Sequence, residues 1–342
     1  MIQILLRFDR AKKVGKVVLA GVVGISMICA GMTFCGDLHK ITAMVQIPSL
    51  LLAASLTLLY RVLNAMNWGL ILESIGVKLP TKQAVPIWLT SEACRWLPGS
   101  LWSYGSRGFQ AKAAGVPGLQ ATLSLPLELI LTIFAWCVTV IVFGTQHVNA
   151  VAAVLPQSPG GQTLLTVIPV TVTSLIVGWF VARGLSRRQP QATKYWKMIR
   201  GVHPVKRHVL IATLNYCALC GLNGLALFVV IASLQPVQTI PMTAVIAANA
   251  AAWLIGFFAL FAPGGLLVRE GVLATLLACW LPLEVAIAAA VLWRMLQLSV
   301  ELLCLATVSA VRTTRRICSR RSVFPRAYFL SNSCATSPPE VP

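Results

Sequence analysis

Long apolar runs, separated by short polar or basic segments, set the pattern of this chain. A run of about 20 apolar residues predicts a transmembrane helix. Such runs extend over Val17 to Cys35, Ile47 to Leu72, Pro117 to Gly144, Gln162 to Ala182, His208 to Ser233 and Glu284 to Val311. Met242 to Ala262 and Leu266 to Leu281 are two further apolar runs. The stretch from Gln83 to Ala114 is less apolar. Gln83 to Leu97 is only 15 residues long before Pro98 and Gly99 break it, and Ser100 to Ala114 is short and polar. Neither arm is expected to cross a bilayer, and two short helices joined by a Pro-Gly turn can enter and leave on one side. Irregular backbone of that kind is tolerated at membrane depth when packed in protein or lining a wet cavity. The pattern predicts an all-α polytopic membrane protein with six to eight transmembrane helices.

The pattern also repeats. Trp88-Leu89, eight residues, then Pro98-Gly99-Ser100-Leu101 corresponds to Trp253-Leu254, eight residues, then Pro263-Gly264-Gly265-Leu266, at an offset of 165. That offset brings the run from Ile47 near the run from His208, and the run from Pro117 near the run from Glu284. A unit of helix, broken hairpin and helix is therefore expected twice, over about residues 47–144 and 208–311. Residues 242–281 are also compatible with two full crossings. Paired Gly/Pro-interrupted segments in two halves of opposite orientation mark the midplane site of a transporter.

Composition and charge sharpen this picture. Of 342 residues 57% are hydrophobic and 11% charged, against about 25% charged in a soluble domain. Nine acidic residues cannot solvate the surface of a soluble enzyme this size. The 28 Lys and Arg give a net charge of +19. They cluster between apolar runs with few aromatics among them, as membrane topology and not nucleic-acid binding requires. Arg7, Arg10, Lys12, Lys13 and Lys16 form a basic N-terminus (1–16) before a signal anchor. The 183–207 loop holds eight bases and no acid, and Arg312, Arg315, Arg316, Arg320, Arg321 and Arg326 follow the last run. Both segments are expected in the cytoplasm, with both termini inside and the 312–342 tail disordered. The first repeat then starts outside and the second inside, which makes the repeats inverted. A cell (inner) membrane location follows.

The two broken elements resemble a known family. Arg95-Trp96-Leu97-Pro98-Gly99-Ser100-Leu101-Trp102, followed by Arg107, is similar to the R-[YF]-x-P-G-x-[VIL]-W…R signature of the lysylphosphatidylglycerol synthase transmembrane region. Pro263-Gly264-Gly265-Leu266-Leu267-Val268-Arg269-Glu270 resembles its P-G-G-x-G-x-R-E motif, with Leu267 in place of a glycine. The resemblance covers about residues 10 to 312. It implies a flippase-like fold that handles a lipid, without the soluble synthase domain and its aminoacyl-transfer chemistry. By analogy, the cargo is an anionic phospholipid or a polyprenyl-phosphate-linked glycan precursor of cell-envelope assembly, with envelope glycosyltransferases as possible partners.

Charged side chains at membrane depth carry the candidate chemistry. Arg95, Arg107 and Arg269 flank the two turns and are the candidates for a lipid phosphate, which guanidinium binds in bidentate fashion. Glu270 is expected either to pair with Arg269, locking the hairpin, or to act as a counter-charge. Glu128 and Arg294 fall at corresponding positions near mid-span, so an ion pair between them is expected, with Glu301 competing for Arg294. Arg61 is compatible with snorkelling or with the cavity. Most of Trp88, Trp96, Trp102, Tyr104, Trp253, Trp280 and Trp293 are expected as interfacial anchors.

Cys29, Cys137, Cys217, Cys220, Cys279 and Cys304 lie in apolar runs and read as core residues. Metal-ligand, nucleotide and catalytic motifs are absent from the sequence, so neither cofactor nor metal nor direct ATP hydrolysis is expected. Two alternatives to a flippase stand beside it. One is an integral-membrane lipid-modifying or glycosyl-transferring enzyme using Glu92, Glu128 or Glu270. The other is a membrane scaffold docking a partner on the 183–207 loop.

Overall fold

The computed structural model describes residues 46–96, 102–154, 204–234, 240–259, 265 and 267–322. The expected spans at Val17 to Cys35 and Gln162 to Ala182 lie outside the described residues. So do most of the 183–207 loop, the turn residues Pro98, Gly99, Pro263 and Gly264, and the tail after 322.

Every described element is a helix. In chain order they are α1 (Ile47–Ser74), α2 (Thr81–Glu92) with a 3-10 turn (Ala93–Trp96), α3 (Trp102–Ala113), α4 (Gly118–Gly144), a 3-10 turn (Thr145–His147) and α5 (Val148–Val154). There follow α6 (Lys206–Leu234), α7 (Met242–Phe258), α8 (Val268–Leu277) and α9 (Leu283–Ser322). A long helix, two short helices and a long helix thus occur twice. Among the described residues, four stretches are long and apolar enough to cross a membrane: Ile47–Ser74, Gly118–Ala153, Lys206–Leu234 and Leu283–Val311. The protein is membrane-embedded by that measure.

At 1.5 Å per residue, α2 and α3 are each about 18 Å long and α8 about 15 Å, against a hydrocarbon core of about 30 Å. None of these three helices is by itself that long. The described part of α9 runs past Val311 to Ser322, so the start of the basic tail continues the last helix. Arg is a good helix former, and the helical register needs no apolar face once it leaves the core.

Local chemistry sets the ends of the short arms. After α1, Gly76 takes a φ of +85°. Its N–H donates to Glu73 O (3.0 Å) and that of Val77 to Leu72 O (3.0 Å), a Schellman stop. The end of α3 repeats the device: Gly115 (φ +94°) donates to Lys112 O and Val116 to Ala111 O, each at 3.1 Å. Pro80 and Pro117 then stand at the N-caps of α2 and α4.

Helices α1 and α6 lie antiparallel along their whole length. Gln46 N–H donates to Ser233 O (3.1 Å) at one end, and Val205 N–H to Ser74 O (2.8 Å) at the other. Between them Asn67 donates to Ala212 O (3.0 Å) and accepts from Asn215 (3.1 Å). Small residues let α7 enter the centre: Ala244, Ala248, Ala250 and Ala252 are buried on it. A Cβ on Gly224 of α6 would lie 2.8 Å from Ile246 Cα, so glycine is required for that approach.

Candidate functional site

Arginines and glutamates collect inside this helical frame. Arg61 of α1 donates from Nη2 to Glu301 Oε2 of α9 (2.9 Å) and to Gln297 O (3.3 Å). The same Glu301 oxygen accepts from Arg95 Nη2 at 3.1 Å. Arg95 Nη1 reaches Glu92 Oε2 at 3.1 Å, and Glu92 Oε1 accepts from Arg107 Nη2 at 2.6 Å. Arg107 Nη1 donates to Glu128 Oε1, which also accepts from Trp88 Nε1 at 3.0 Å. Arg107 Nε donates to Ser91 Oγ at 2.9 Å. Opposite charges therefore alternate along an unbroken chain, Arg61–Glu301–Arg95–Glu92–Arg107–Glu128. The Arg107 guanidinium also sits over the rings of Trp88 (5.0 Å), Tyr104 (5.4 Å) and Trp68 (5.9 Å). At 1% exposure its charge is wholly enclosed by these partners.

The second half is built otherwise. Arg294 Nε of α9 lies 3.1 Å from Glu270 Oε1 of α8, a distance-satisfying ionic contact without the alignment of a hydrogen bond. Arg269, next in sequence to Glu270, is 8% exposed. It has no ion pair among the described residues, and its buried Nη2 has no hydrogen-bond partner. It is held in place by backbone packing: a Cβ on Gly256 would lie 2.9 Å from Arg269 Cβ, and one on Gly265 (φ +72°) 2.9 Å from Gly256 O. Leu267, ahead of α8, takes φ +66° and is 80% exposed. The turn thus keeps a positive φ at the position where the resembled motif has glycine.

The expected Glu128–Arg294 and Arg269–Glu270 pairings are replaced by others. Glu128 meets Arg107 and Trp88, while the ion pair of Arg294 is with Glu270. Corresponding positions in two repeats need not touch; packing of α2 and α3 onto α4 brings Arg107 to Glu128 first. Glu301 holds Arg61 and Arg95. Glu270 is in ionic contact with Arg294 and makes no ion pair with Arg269, its sequence neighbour, as adjacent helical side chains do not face each other. Arg61 is buried in the network. Trp88 and Trp293 are interior residues and not interfacial anchors, each with its indole N–H on an acceptor, Glu128 and Asn249 respectively. The side chain of Trp96 lies outside the described ones.

Two polar groupings carried little weight in the sequence. Glu92 joins Arg95 and Arg107, and its spacing of three residues from Arg95 was the available signal. Asn249 donates to Asn223 Oδ1 (2.8 Å) and accepts from Trp293 (3.3 Å). These amides stood out only as polar side chains inside apolar runs.

Two cavities of about 60 Å³ each open on this network. Each holds roughly two water volumes. Glu92, Arg95, Tyr104, Trp253 and Arg269 line both. Trp253 in turn stacks on Trp136 (5.1 Å) and Phe257 (5.2 Å), giving the site an aromatic wall. Among the described residues the cluster contains five arginines (61, 95, 107, 269, 294) against four glutamates (92, 128, 270, 301), an excess of one positive charge. Such a site attracts an anion: an unpaired guanidinium at this depth lacks the counter-charge that burial demands. No group of three or more His, Cys, Asp or Glu among the described residues has metal-site geometry. The described cysteines carry free thiols, with Cys220 and Cys304 buried.

No family model matches the chain, and no curated protein matches it.

Proposed function

We propose that the chain is a flippase-like protein that takes the phosphate of an anionic lipid, or of a lipid-linked glycan precursor, at Arg269. One observation carries the reading: among the described arginines of the buried cluster, Arg269 is the one without a carboxylate, and it faces both internal cavities. A lipid phosphate supplies the missing counter-charge. Arg95, half-buried and lining the same cavities, is the second phosphate ligand. Arg107 is a structural tie, because both of its terminal nitrogens are on glutamates.

The inverted repeat supports alternating access. The antiparallel course of α1 and α6 is what two corresponding helices of opposed repeats would show. The short α2, α3 and α8 then act as re-entrant arms, with both termini in the cytoplasm. The resemblance of these corners to the lysylphosphatidylglycerol synthase transmembrane region agrees with a lipid cargo.

The test is translocation of fluorescent phosphatidylglycerol in vesicles carrying the purified protein. A charge-assisted contact contributes about 1.5–3 kcal/mol, roughly ten- to a hundredfold in affinity. Arg269→Ala is expected to lower translocation by that order while the protein remains folded, and Arg269→Lys to retain part of it. Wild-type rates in Arg269→Ala would remove the residue from the mechanism.

A further inference from the structure

A second feature lies apart from the arginine cluster. A groove of about 640 Å³ runs between α2, α3 and α9, lined by Lys82, Ile87, Gln110, Ala113, Val308 and Val311 among others. Its volume is that of a small-molecule pocket, roughly 300–1,000 Å³. Its walls are mostly apolar. The polar side chains on it are Lys82, Gln83, Gln110 and Thr307, and it has no carboxylate. Glu73, in the last turn of α1, lines a separate cavity with Leu79 and Ala84.

The groove sits at the basic end of the bundle. Lys78 precedes α2 and Lys112 closes α3, while the Val205–Ser74 hydrogen bond brings Lys206 and Arg207 to the end of α1. Arg312, Arg315 and Arg316 follow Val311 on α9. An amphiphile with an anionic head and an apolar chain matches this arrangement at both ends. Gln110 on the wall accepts from Thr90 (2.9 Å), whose neighbour Ser91 accepts from Arg107, so the groove backs onto the buried network.

We infer that this groove binds one anionic phospholipid from the membrane leaflet at the basic end, with its phosphate at Lys82 and an acyl chain along Ile87, Val308 and Val311. The site is distinct from Arg269 and does not require that transport occur. The experiment places a benzophenone amino acid at Ala113 and illuminates the protein in vesicles of equal parts phosphatidylglycerol and phosphatidylcholine. Adduct masses then report the occupant.

One lysine at a membrane surface corresponds to roughly a fivefold preference for the anionic lipid. Phosphatidylglycerol adducts are expected in that excess, Lys82→Arg is expected to keep it, and Lys82→Glu to abolish it. Ala114→Trp, which fills the groove, is expected to reduce all lipid adducts. Thermal melting and gel filtration identify variants that fail to fold. In a folded Arg269→Ala protein the adduct pattern is expected to be unchanged, which separates this result from the fate of the transport reading. Equal adducts with both lipids, a preference that survives Lys82→Glu, adducts to protein segments alone, or loss of the pattern in Arg269→Ala would each overturn the proposal.

Discussion

The two broken hairpins carry an arginine on the second arm, and their electrostatics are opposite. Arg107 of α3 is clamped by Glu92 and Glu128, whereas Arg269 of α8 has no carboxylate among the described residues. The two arginines are not equivalent positions: the 165-residue offset of the Trp-Leu motifs maps Arg107 onto Val272 and Arg269 onto Tyr104. It maps Glu92 onto Phe257, and Glu128 falls at Trp293, one residue before Arg294. Neither acid that neutralises Arg107 has an acidic counterpart at that offset, and Trp293 is tied to Asn249 instead. The nearby Glu270 is taken by Arg294. Similar corners therefore produce a lock in one half and an uncompensated cation beside a cavity in the other. What separates a neutralised arginine from an uncompensated one is the residue supplied by the neighbouring helix.

The largest effect should come from breaking the lock. Arg107→Ala leaves Glu128 buried without its cation and Glu92 with Arg95 alone, a loss of about 3–5 kcal/mol for a broken buried pair. Unfolding in detergent should show a large drop in stability, while Arg269→Ala should show none, or a small gain. Equal losses in the two variants would erase the distinction between the corners.

Converting the second corner into the first is the next step. Phe257 and Arg269 line the same cavity, so Phe257→Glu would give Arg269 a carboxylate. Lipid translocation in vesicles should then fall roughly ten- to a hundredfold with Arg269 itself intact. Undiminished translocation would show that an unpaired arginine is not what the function needs.

Double-mutant cycles resolve the partners. Glu270→Gln with Arg294→Gln should couple by about 1–2 kcal/mol, as contacting pairs do. Glu128→Gln with Arg294→Gln should add to within about 0.5 kcal/mol. Strong coupling in the second cycle would restore the pairing expected from the sequence.

The smallest effect concerns the turn before Arg269. Leu267 holds φ +66° with its side chain in the open, a conformation that strains a branched residue by about 1–3 kcal/mol and glycine much less. Leu267→Gly should raise the melting temperature slightly, by about 1 kcal/mol of stability. A destabilised variant would mean that the side chain makes a contact worth more than the strain.

Helix positions were legible because they are local. The apolar run from Ile47 ends at Ser74, the one from Pro117 begins its helix at Gly118, and the one expected from His208 starts at Lys206. A hydrophobic run, a proline and a Gly-capped end are enough to set those limits. The short arms were legible for the same reason, and α8, at ten residues, is by itself shorter than a membrane span. The residues of the candidate site were also visible as ionisable groups in apolar surroundings. Their partners were not. Glu301 is 240 residues from Arg61, and no local pattern encodes which of several arginines a carboxylate will meet.

By itself, then, the sequence determined a membrane-embedded helical chain, its breaks, and a small set of charges that must be accommodated away from water. Only the tertiary structure decided how those charges were shared, leaving Arg269 over. Helix formation follows from neighbours along the chain and the apolarity of each run. Charge pairing depends on which helices pack closely enough to bring side-chain nitrogens and oxygens within about 3 Å, and small residues such as Gly224 and Gly256 govern that approach only once the bundle is assembled.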